Sequence, residues 1–145
     1  MTIKSFVLPY NDEIVIFLHK TKDITKVINE KCELIIAMNV SKTQLKKIAK
    51  ESAKVYCLSS YADIDSVSFI QNHIKLYSSE HFVFFSSANL SLTSFPELTI
   101  RLRKTPPLSS FLAELEKQLS LLPRQSSRLL QTRFPVLPPK TRKPA

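Results

Sequence analysis

The sequence predicts an α/β fold, in which a mixed and mainly parallel sheet carries helices on both faces. Three apolar runs are typical of core strands: EIVIFLH at Glu13–His19, ELIIAM at Glu33–Met38 and AKVYCL at Ala53–Leu58. A helical pattern separates the second run from the third. A strand, a helix and a strand at this spacing indicate a βαβ unit, and therefore a parallel pair with a right-handed crossover.

The first half of the chain contains two helical patterns. Asp23–Asn29 predicts a short helix, because isoleucine and valine recur there at helical spacing. Ser41–Gln44 matches a capping box and begins a second helix that ends near Ser52. Its outward side is basic, so we expect it either to contact nucleic acid or to be solvated. The lysines of this side are Lys42, Lys46, Lys47 and Lys50.

The second half predicts three more strands and a last helix. Ile74–Ser78 and Phe82–Ser87 read as strands joined at His81, and Glu97–Arg103 alternates as a third. Pro106 and Pro107 break the chain before a helix with an apolar stripe, which either packs on the core or forms a dimer face. The stripe comprises Leu108, Phe111, Leu112, Leu115 and Leu119.

Composition limits the classes of function. The chain has 145 residues, about one domain's worth, with 43% hydrophobic residues and a formal net charge of +9. The charge favours an anionic partner, with nucleic acid ahead of an acidic membrane surface. The sequence contains no glycine, which excludes P-loop and Rossmann phosphate sites in their usual form.

Cysteine usage and hydropathy predict a cytoplasmic protein without a membrane span. Cys32 and Cys57 each lie beside an apolar run and indicate reduced thiols, with a disulfide as the alternative. Met1–Tyr10 lacks the apolar core of a signal peptide, and Ile14–Leu18 is too short to cross a bilayer.

A change of composition at Pro123 divides the chain into a domain at 1–122 and a tail at 123–145. The tail has five of the nine prolines, six basic residues and no acid, so it contributes +6 and leaves +3 for the domain. We expect the tail to be disordered when unbound, and either to bind polyanions or to serve as a solubilising end. Its basic residues are Arg124, Arg128, Arg133, Lys140, Arg142 and Lys143.

The stretch HIKLYSSEHFVFFSSANLS carries the chemistry. Alternation along a strand places His73 and Lys75 on one side. The apolar run that follows delivers Ser86, Ser87 and Asn89 to its carboxyl end, where α/β proteins bind ligands. These groups suit a phosphate, because Lys supplies positive charge, Ser and Asn donate hydrogen bonds, and His can attack or transfer a proton.

The same stretch resembles the phospholipase D superfamily, whose signature is H-x-K-x4-D followed by G-S-x-N. The resemblance is strong over about twenty residues and extends plausibly from Glu33 to Arg103. It implies the fold of a phospholipase D half. Two positions depart from the signature: Glu80 replaces the aspartate, whose role in the family is mainly structural, and Ser86 replaces the glycine, which could narrow the phosphate pocket.

The resemblance implies a metal-independent phosphodiesterase or nuclease that acts through a phosphohistidine. His73 would attack phosphorus, while Lys75, Asn89 and Ser87 would hold the phosphate. Glu97 is the residue placed to orient the imidazole, although it could equally be an ordinary strand-end carboxylate. Each chain has one motif, so a homodimer would bring two HIKLYSSE stretches face to face, and the second imidazole would protonate the leaving group.

A catalytically degenerate protein on the same fold is the alternative. It would bind nucleic acid, or a protein of the transcription or replication machinery, through the basic helix face and the tail. A lipid phosphodiesterase follows from the family name, but no apolar docking segment supports it. We predict no cofactor and no metal site, because Asp63 and Asp65 lack a third ligand and fit a loop or a helix N-terminus better.

Overall fold

The computed structural model describes residues 4–38, 40–41, 54–58, 67–70 and 72–123. These residues form one eight-stranded sheet, two α-helices and a short 3₁₀ turn, Thr21–Asp23. The strands are β1 (Phe6–Pro9), β2 (Ile14–Lys20), β3 (Cys32–Met38), β4 (Lys54–Leu58), β5 (Val67–Phe69), β6 (Leu76–Ser79), β7 (Phe82–Ser86) and β8 (Pro96–Arg103). The helices are α1 (Ile24–Ile28) and α2 (Pro106–Ser120).

The strands lie in the order β1-β2-β8-β7-β6-β3-β4-β5. Only the β3–β4 and β4–β5 pairs are parallel, and the other five pairs are antiparallel. The predicted α/β class, with a mainly parallel sheet and helices on both faces, was therefore wrong. The described part of the chain is rich in strands: its eight strands are accompanied by one helix of five residues on one face and one of fifteen residues on the other, too little helix to form the two layers of an α/β fold.

Loop length explains the correction. Two residues, Glu80 and His81, separate β6 from β7, and only a hairpin can be closed by so short a loop. A parallel connection needs a dozen or more residues, which the chain provides between β3 and β4. The parallel pairing of β3 with β4 predicted there was correct, but it does not represent the rest of the sheet.

The core lies on both faces of β3, β6 and β7. The face that contacts α1, here called the α1 face, buries Ile35, Ala37, Val55, Tyr77 and Phe84 with Ile24 and Ile28. The opposite face, here called the α2 face, buries Leu34, Ile36, Leu76 and Val83 with Leu112 and Leu119 of α2. Successive residues of β3 and of β7 thus alternate between two packed layers, as expected for strands covered on both sides.

The predicted last helix is only partly covered. Of its apolar stripe, Leu112 and Leu119 are buried, whereas Phe111 is 54% exposed. Thr105 caps the first turn by accepting from the Leu108 N–H at 3.4 Å, and prolines occupy the first helical positions, where their missing N–H groups cost nothing. Two strands, β1 and β5, were not anticipated, and the predicted helix at 41–52 lies almost wholly outside the described residues.

Among the described residues, no helix is both long enough and apolar enough to cross a membrane.

Candidate functional site

The candidate residues of the central stretch meet at one end of the sheet, here called the site end. At this end β2, β3, β4 and β7 finish and β6 and β8 begin. Two backbone hydrogen bonds extend the pairing past the strand ends: Ser86 N–H donates to the Lys75 carbonyl at 3.2 Å, and Ser87 N–H donates to the Leu98 carbonyl at 3.0 Å. The strands therefore deliver the motif residues side by side.

Lys75 and His73 lie immediately before β6. The register that pairs Leu76 with Phe85 places Lys75 opposite Ser86, on the α1 face of the sheet. Lys75 is partly exposed and His73 is exposed. Neither side chain has a hydrogen-bond or ion-pair partner among the described residues, so both are available to a ligand.

Glu97 is held by two hydroxyl groups. Ser87 Oγ donates to Glu97 Oε1 at 2.6 Å, and Thr21 Oγ1 donates to Glu97 Oε2 at 2.5 Å. Ser87 Oγ also accepts from the Leu98 N–H at 3.0 Å. The structure thus brings Ser87 and Glu97 together, but within its described part it records no contact between Glu97 and His73.

A buried polar chain crosses the sheet behind these residues. His19 Nε2 lies 2.7 Å from Thr99 Oγ1, and Thr99 Oγ1 lies 2.8 Å from Ser86 Oγ. The other ring nitrogen, His19 Nδ1, lies 2.7 Å from the Lys20 carbonyl oxygen. His19 is 2% exposed and Thr99 is 0% exposed. No sequence motif surrounds His19, so sequence reasoning missed its link to Ser86.

The segment after β7 ends in an unusual asparagine. Tyr77 Oη donates to the Ala88 carbonyl at 2.8 Å, and Ala88 N–H donates to Ser86 Oγ at 2.9 Å. The next residue, Asn89, has a buried Oδ1 with no hydrogen-bond partner among the described residues. An unsatisfied buried polar atom costs about 1–3 kcal/mol, so this amide is suited to a polar ligand at the site end.

Glu80 does not join the site. It lies in the β6–β7 hairpin at the opposite end of the sheet, where Glu80 Oε1 is 3.7 Å from His81 Nε2 and both side chains are largely exposed. The remaining predicted binding residues lie outside the described part of the chain. They are Lys42, Lys46, Lys47, Lys50, Arg124, Arg128, Arg133, Lys140, Arg142 and Lys143, and the candidate metal pair of Asp63 and Asp65 lies there too.

An ion pair fixes α2 to the sheet away from the site end. Lys54 Nζ lies 2.9 Å from Glu116 Oε2, and Tyr56 Oη donates to the same oxygen at 3.3 Å. The hydrogen bond to Glu116 and the attraction of its charge raise the pKa of Lys54. Burial, with the neighbouring Glu116 charge, raises the pKa of Tyr56. Within the described residues, no group of three or more His, Cys, Asp or Glu side chains is placed to hold a metal ion.

Comparison with known proteins shows which fold the chain has. No protein-family model matches the chain, and no curated protein matches its sequence. Nuc from Salmonella typhimurium, a phospholipase D family member, superposes with a TM-score of 0.53 and 14% identity over 79% of this chain and 100% of Nuc. At that identity the match shows the fold alone: the chain has a phospholipase D-like fold, and the fold predicted from the motif resemblance is confirmed at this level.

Two further solved structures are similar at lower TM-scores. NucT from Helicobacter pylori gives 0.47 with 15% identity over 84% of this chain and 98% of NucT. TrmBL2, an archaeal chromatin protein with a novel mode of DNA binding, gives 0.48 with 11% identity over 81% of this chain. The chain spans 55% of TrmBL2.

Proposed function

We propose that this protein is a metal-independent phosphodiesterase that acts on nucleic acid as a homodimer. The observation that carries the proposal is that one end of the sheet collects an imidazole, an ammonium group, a hydroxyl, an amide and a carboxylate. These belong to His73, Lys75, Ser87, Asn89 and Glu97, the residues selected from the sequence motif. The same set of groups can bind a phosphodiester, attack it and neutralise its charge.

In the proposed mechanism, His73 of one copy attacks phosphorus and forms a phosphohistidine as the leaving oxygen departs. His73 of the second copy protonates that oxygen and then takes a proton from the water that hydrolyses the intermediate. Lys75 and Asn89 hold the nonbridging oxygens, where charge is spread in the transition state. Loss of Lys75 would cost about 3–4 kcal/mol of transition-state stabilisation, by analogy with a single oxyanion donor.

The net charge of the protein supports nucleic acid as the class of phosphodiester in this proposal. The net charge of +9 favours a polyanion, and six of the positive charges lie beyond Pro123. A cytoplasmic location stays a prediction.

A binding protein without chemistry is the second candidate, and Glu97 favours it. Both carboxylate oxygens of Glu97 accept hydrogen bonds from hydroxyls rather than from an imidazole. A His73 without a carboxylate partner loses the group that would fix its tautomer and stabilise its charged form. On this alternative the same end of the sheet would grip a phosphate without turnover, and a protein partner could complete the assembly.

The deciding experiment compares His73→Ala with His81→Ala. Both histidines are exposed, but His81 lies at the opposite end of the sheet, so His81→Ala is a matched control. Hydrolysis of a generic phosphodiester and of nucleic acids is measured with EDTA present. The proposal expects turnover that survives EDTA and His81→Ala and disappears with His73→Ala. Tight binding without turnover in the wild type would select the second candidate, and strict dependence on added magnesium would exclude the histidine mechanism.

Sharing of the site is tested by a mixed dimer of wild-type and His73→Ala chains, isolated with two tags. Each mixed pair lacks one of the two imidazoles that the two steps require, so it should be nearly inactive. About half of the wild-type rate per dimer, or an active monomer, would contradict the shared site in which two HIKLYSSE stretches face each other.

A further inference from the structure

Ser86 connects the candidate site to buried polar residues behind it. The family signature has a glycine there, and Ser86 was expected to narrow the phosphate pocket. In the structure its hydroxyl is directed inward to Thr99 Oγ1, at 2.8 Å, and accepts from the Ala88 N–H, at 2.9 Å. The hydroxyl therefore joins the buried polar chain that ends at His19. We propose that His19, acting through Thr99 and Ser86, is a positioning residue for the Ser87–Asn89 segment of the candidate site.

Hydrogen-bond donors can be assigned along this chain from its ends. Ala88 N–H can only donate, so Ser86 Oγ accepts from it, and the Lys20 carbonyl can only accept, so His19 Nδ1 carries a proton. If His19 is neutral, its Nε2 accepts from Thr99, and Thr99 accepts from Ser86. Every hydroxyl then donates once and accepts once. If His19 carried a second proton, one of the two hydroxyls, that of Thr99 or that of Ser86, would have no acceptor among the described residues.

The buried polar chain fixes the Ser87–Asn89 segment at its middle residue, Ala88. Ala88 is 0% exposed, and both of its backbone polar groups are satisfied by side chains rather than by a strand: the N–H by Ser86 and the carbonyl by Tyr77. Ser87, one residue earlier, is tied to Glu97, and Asn89, one residue later, presents the buried unsatisfied Oδ1. Displacement of Ala88 would therefore move both Ser87 and Asn89.

Because the polar chain is buried, the loss of a single hydroxyl group should disrupt it. When a buried hydroxyl is removed, the polar group that it was bonded to is left unsatisfied. This costs more free energy than the hydrogen bond itself contributed. Thr99 lies between two such partners, His19 and Ser86, so removal of its hydroxyl would interrupt the chain at its centre. The effect on phosphate binding rests on the proposed function, whereas the ordering of the segment does not.

The test measures amide hydrogen exchange at Ala88 by NMR in two matched pairs. Thr99→Val removes the hydroxyl at nearly constant volume, and Thr99→Ser retains it. His19→Asn can retain the donor toward Lys20 but not the acceptor toward Thr99, and His19→Gln can retain that acceptor. We expect Ala88 exchange to rise about tenfold with Thr99→Val and His19→Asn, equivalent to about one hydrogen bond, and to stay near wild type with Thr99→Ser and His19→Gln.

The core amides of Ile36 and Val83 report global opening in the same spectra. If Ala88 accelerates only in step with them, or if the retaining and removing variants behave alike, the positioning role is wrong. Binding of inorganic phosphate is then titrated in the same samples. A selective change at Ala88 without any phosphate binding in the wild type would leave the positioning role intact and contradict the proposed function instead.

Discussion

The two sides of β8 differ in polarity. At the centre of the strand, the exposure of the side chains is the reverse of what their polarity predicts. On the α1 face, Thr99 is 0% exposed and belongs to the polar chain with His19 and Ser86. On the α2 face, Leu98 is 55% exposed and Ile100 is 39% exposed. The polar residue at the centre of the strand is buried, and the two apolar residues next to it face outward.

The position of the covering segments explains this inversion. On the α1 face, Ala88 and Leu90 of the segment after β7 are buried in one cluster with Ile24 and Ile28 of α1 and with residues of β3, β6 and β7. On the α2 face, the buried leucines of α2 pack with residues of β3, β6 and β7, and β8 lies beyond them. Alternation separates the two sets of side chains, but the covering segments decide which set is buried.

The largest expected effect is a loss of stability on the α2 face. It is tested by truncating an isoleucine at a covered position and another at an uncovered position. Ile36 in β3 is 0% exposed, whereas Ile100 in β8 is 39% exposed. We expect Ile36→Ala to lower the free energy of unfolding by about 3 kcal/mol, because it removes buried methyl groups and leaves a cavity. Ile100→Ala should cost about 1 kcal/mol or less. Urea unfolding measures both, and equal losses would show that Ile100 is covered.

The polar side can be tested at Thr99. Thr99→Val should lower the free energy of unfolding by about 1–3 kcal/mol, because it leaves buried partners unsatisfied. Its neighbour on the outward side provides the control, since Leu98→Thr should change stability by about 0.5 kcal/mol or less. A Thr99→Val variant as stable as the wild type would mean that the polar chain contributes nothing to folding.

An alkaline titration examines the same buried layer through Tyr77. Burial raises the pKa of the Tyr77 phenol, so the folded state keeps this proton at pH values where the unfolded chain has lost it. Its stabilising contribution is complete below the ordinary value of about 10 and is lost as the pH rises through the folded-state pKa, by up to about 1.4 kcal/mol per pH unit.

Tyr77→Phe should cost about 1 kcal/mol at pH 7, through the lost hydrogen bond to Ala88, and should flatten the decline above pH 10. Thermal unfolding at several pH values measures the slope. Tyr56→Phe is the comparison, because Tyr56 is only partly buried. A decline of unchanged steepness in Tyr77→Phe would assign the alkaline sensitivity to other groups.

The smallest effect concerns the outward leucine. Leu98→Lys should alter the free energy of unfolding by about 0.5 kcal/mol or less, but it should reduce the fluorescence of a dye that binds exposed apolar surface. Leu121→Lys is the control, because Leu121 is 76% exposed and follows α2 rather than belonging to β8. If the two variants reduce dye binding equally, the apolar side of β8 is not a continuous exposed surface.

Local patterns in the sequence predicted much of the fold. The apolar runs located β2, β3, β4 and β7 to within a residue or two, and ELTIRLR located β8, because burial imposes a period of two on a strand. The motif spacing also selected the phospholipase D-like fold that the Nuc match supports. Only tertiary structure could set strand direction outside the β3–β4 pair, since it depends on which strands become neighbours.

The same division holds for the candidate site. The sequence selected His73, Lys75, Ser87, Asn89 and Glu97 from one motif and its neighbourhood, because these groups occur at fixed spacing along the chain. It could not show that Glu97 is bound by Ser87 and Thr21, nor that His19 reaches Ser86 through Thr99. These contacts join residues up to 80 positions apart. They exist because β2, β8 and β7 are neighbours in the sheet, a relation that no local spacing encodes.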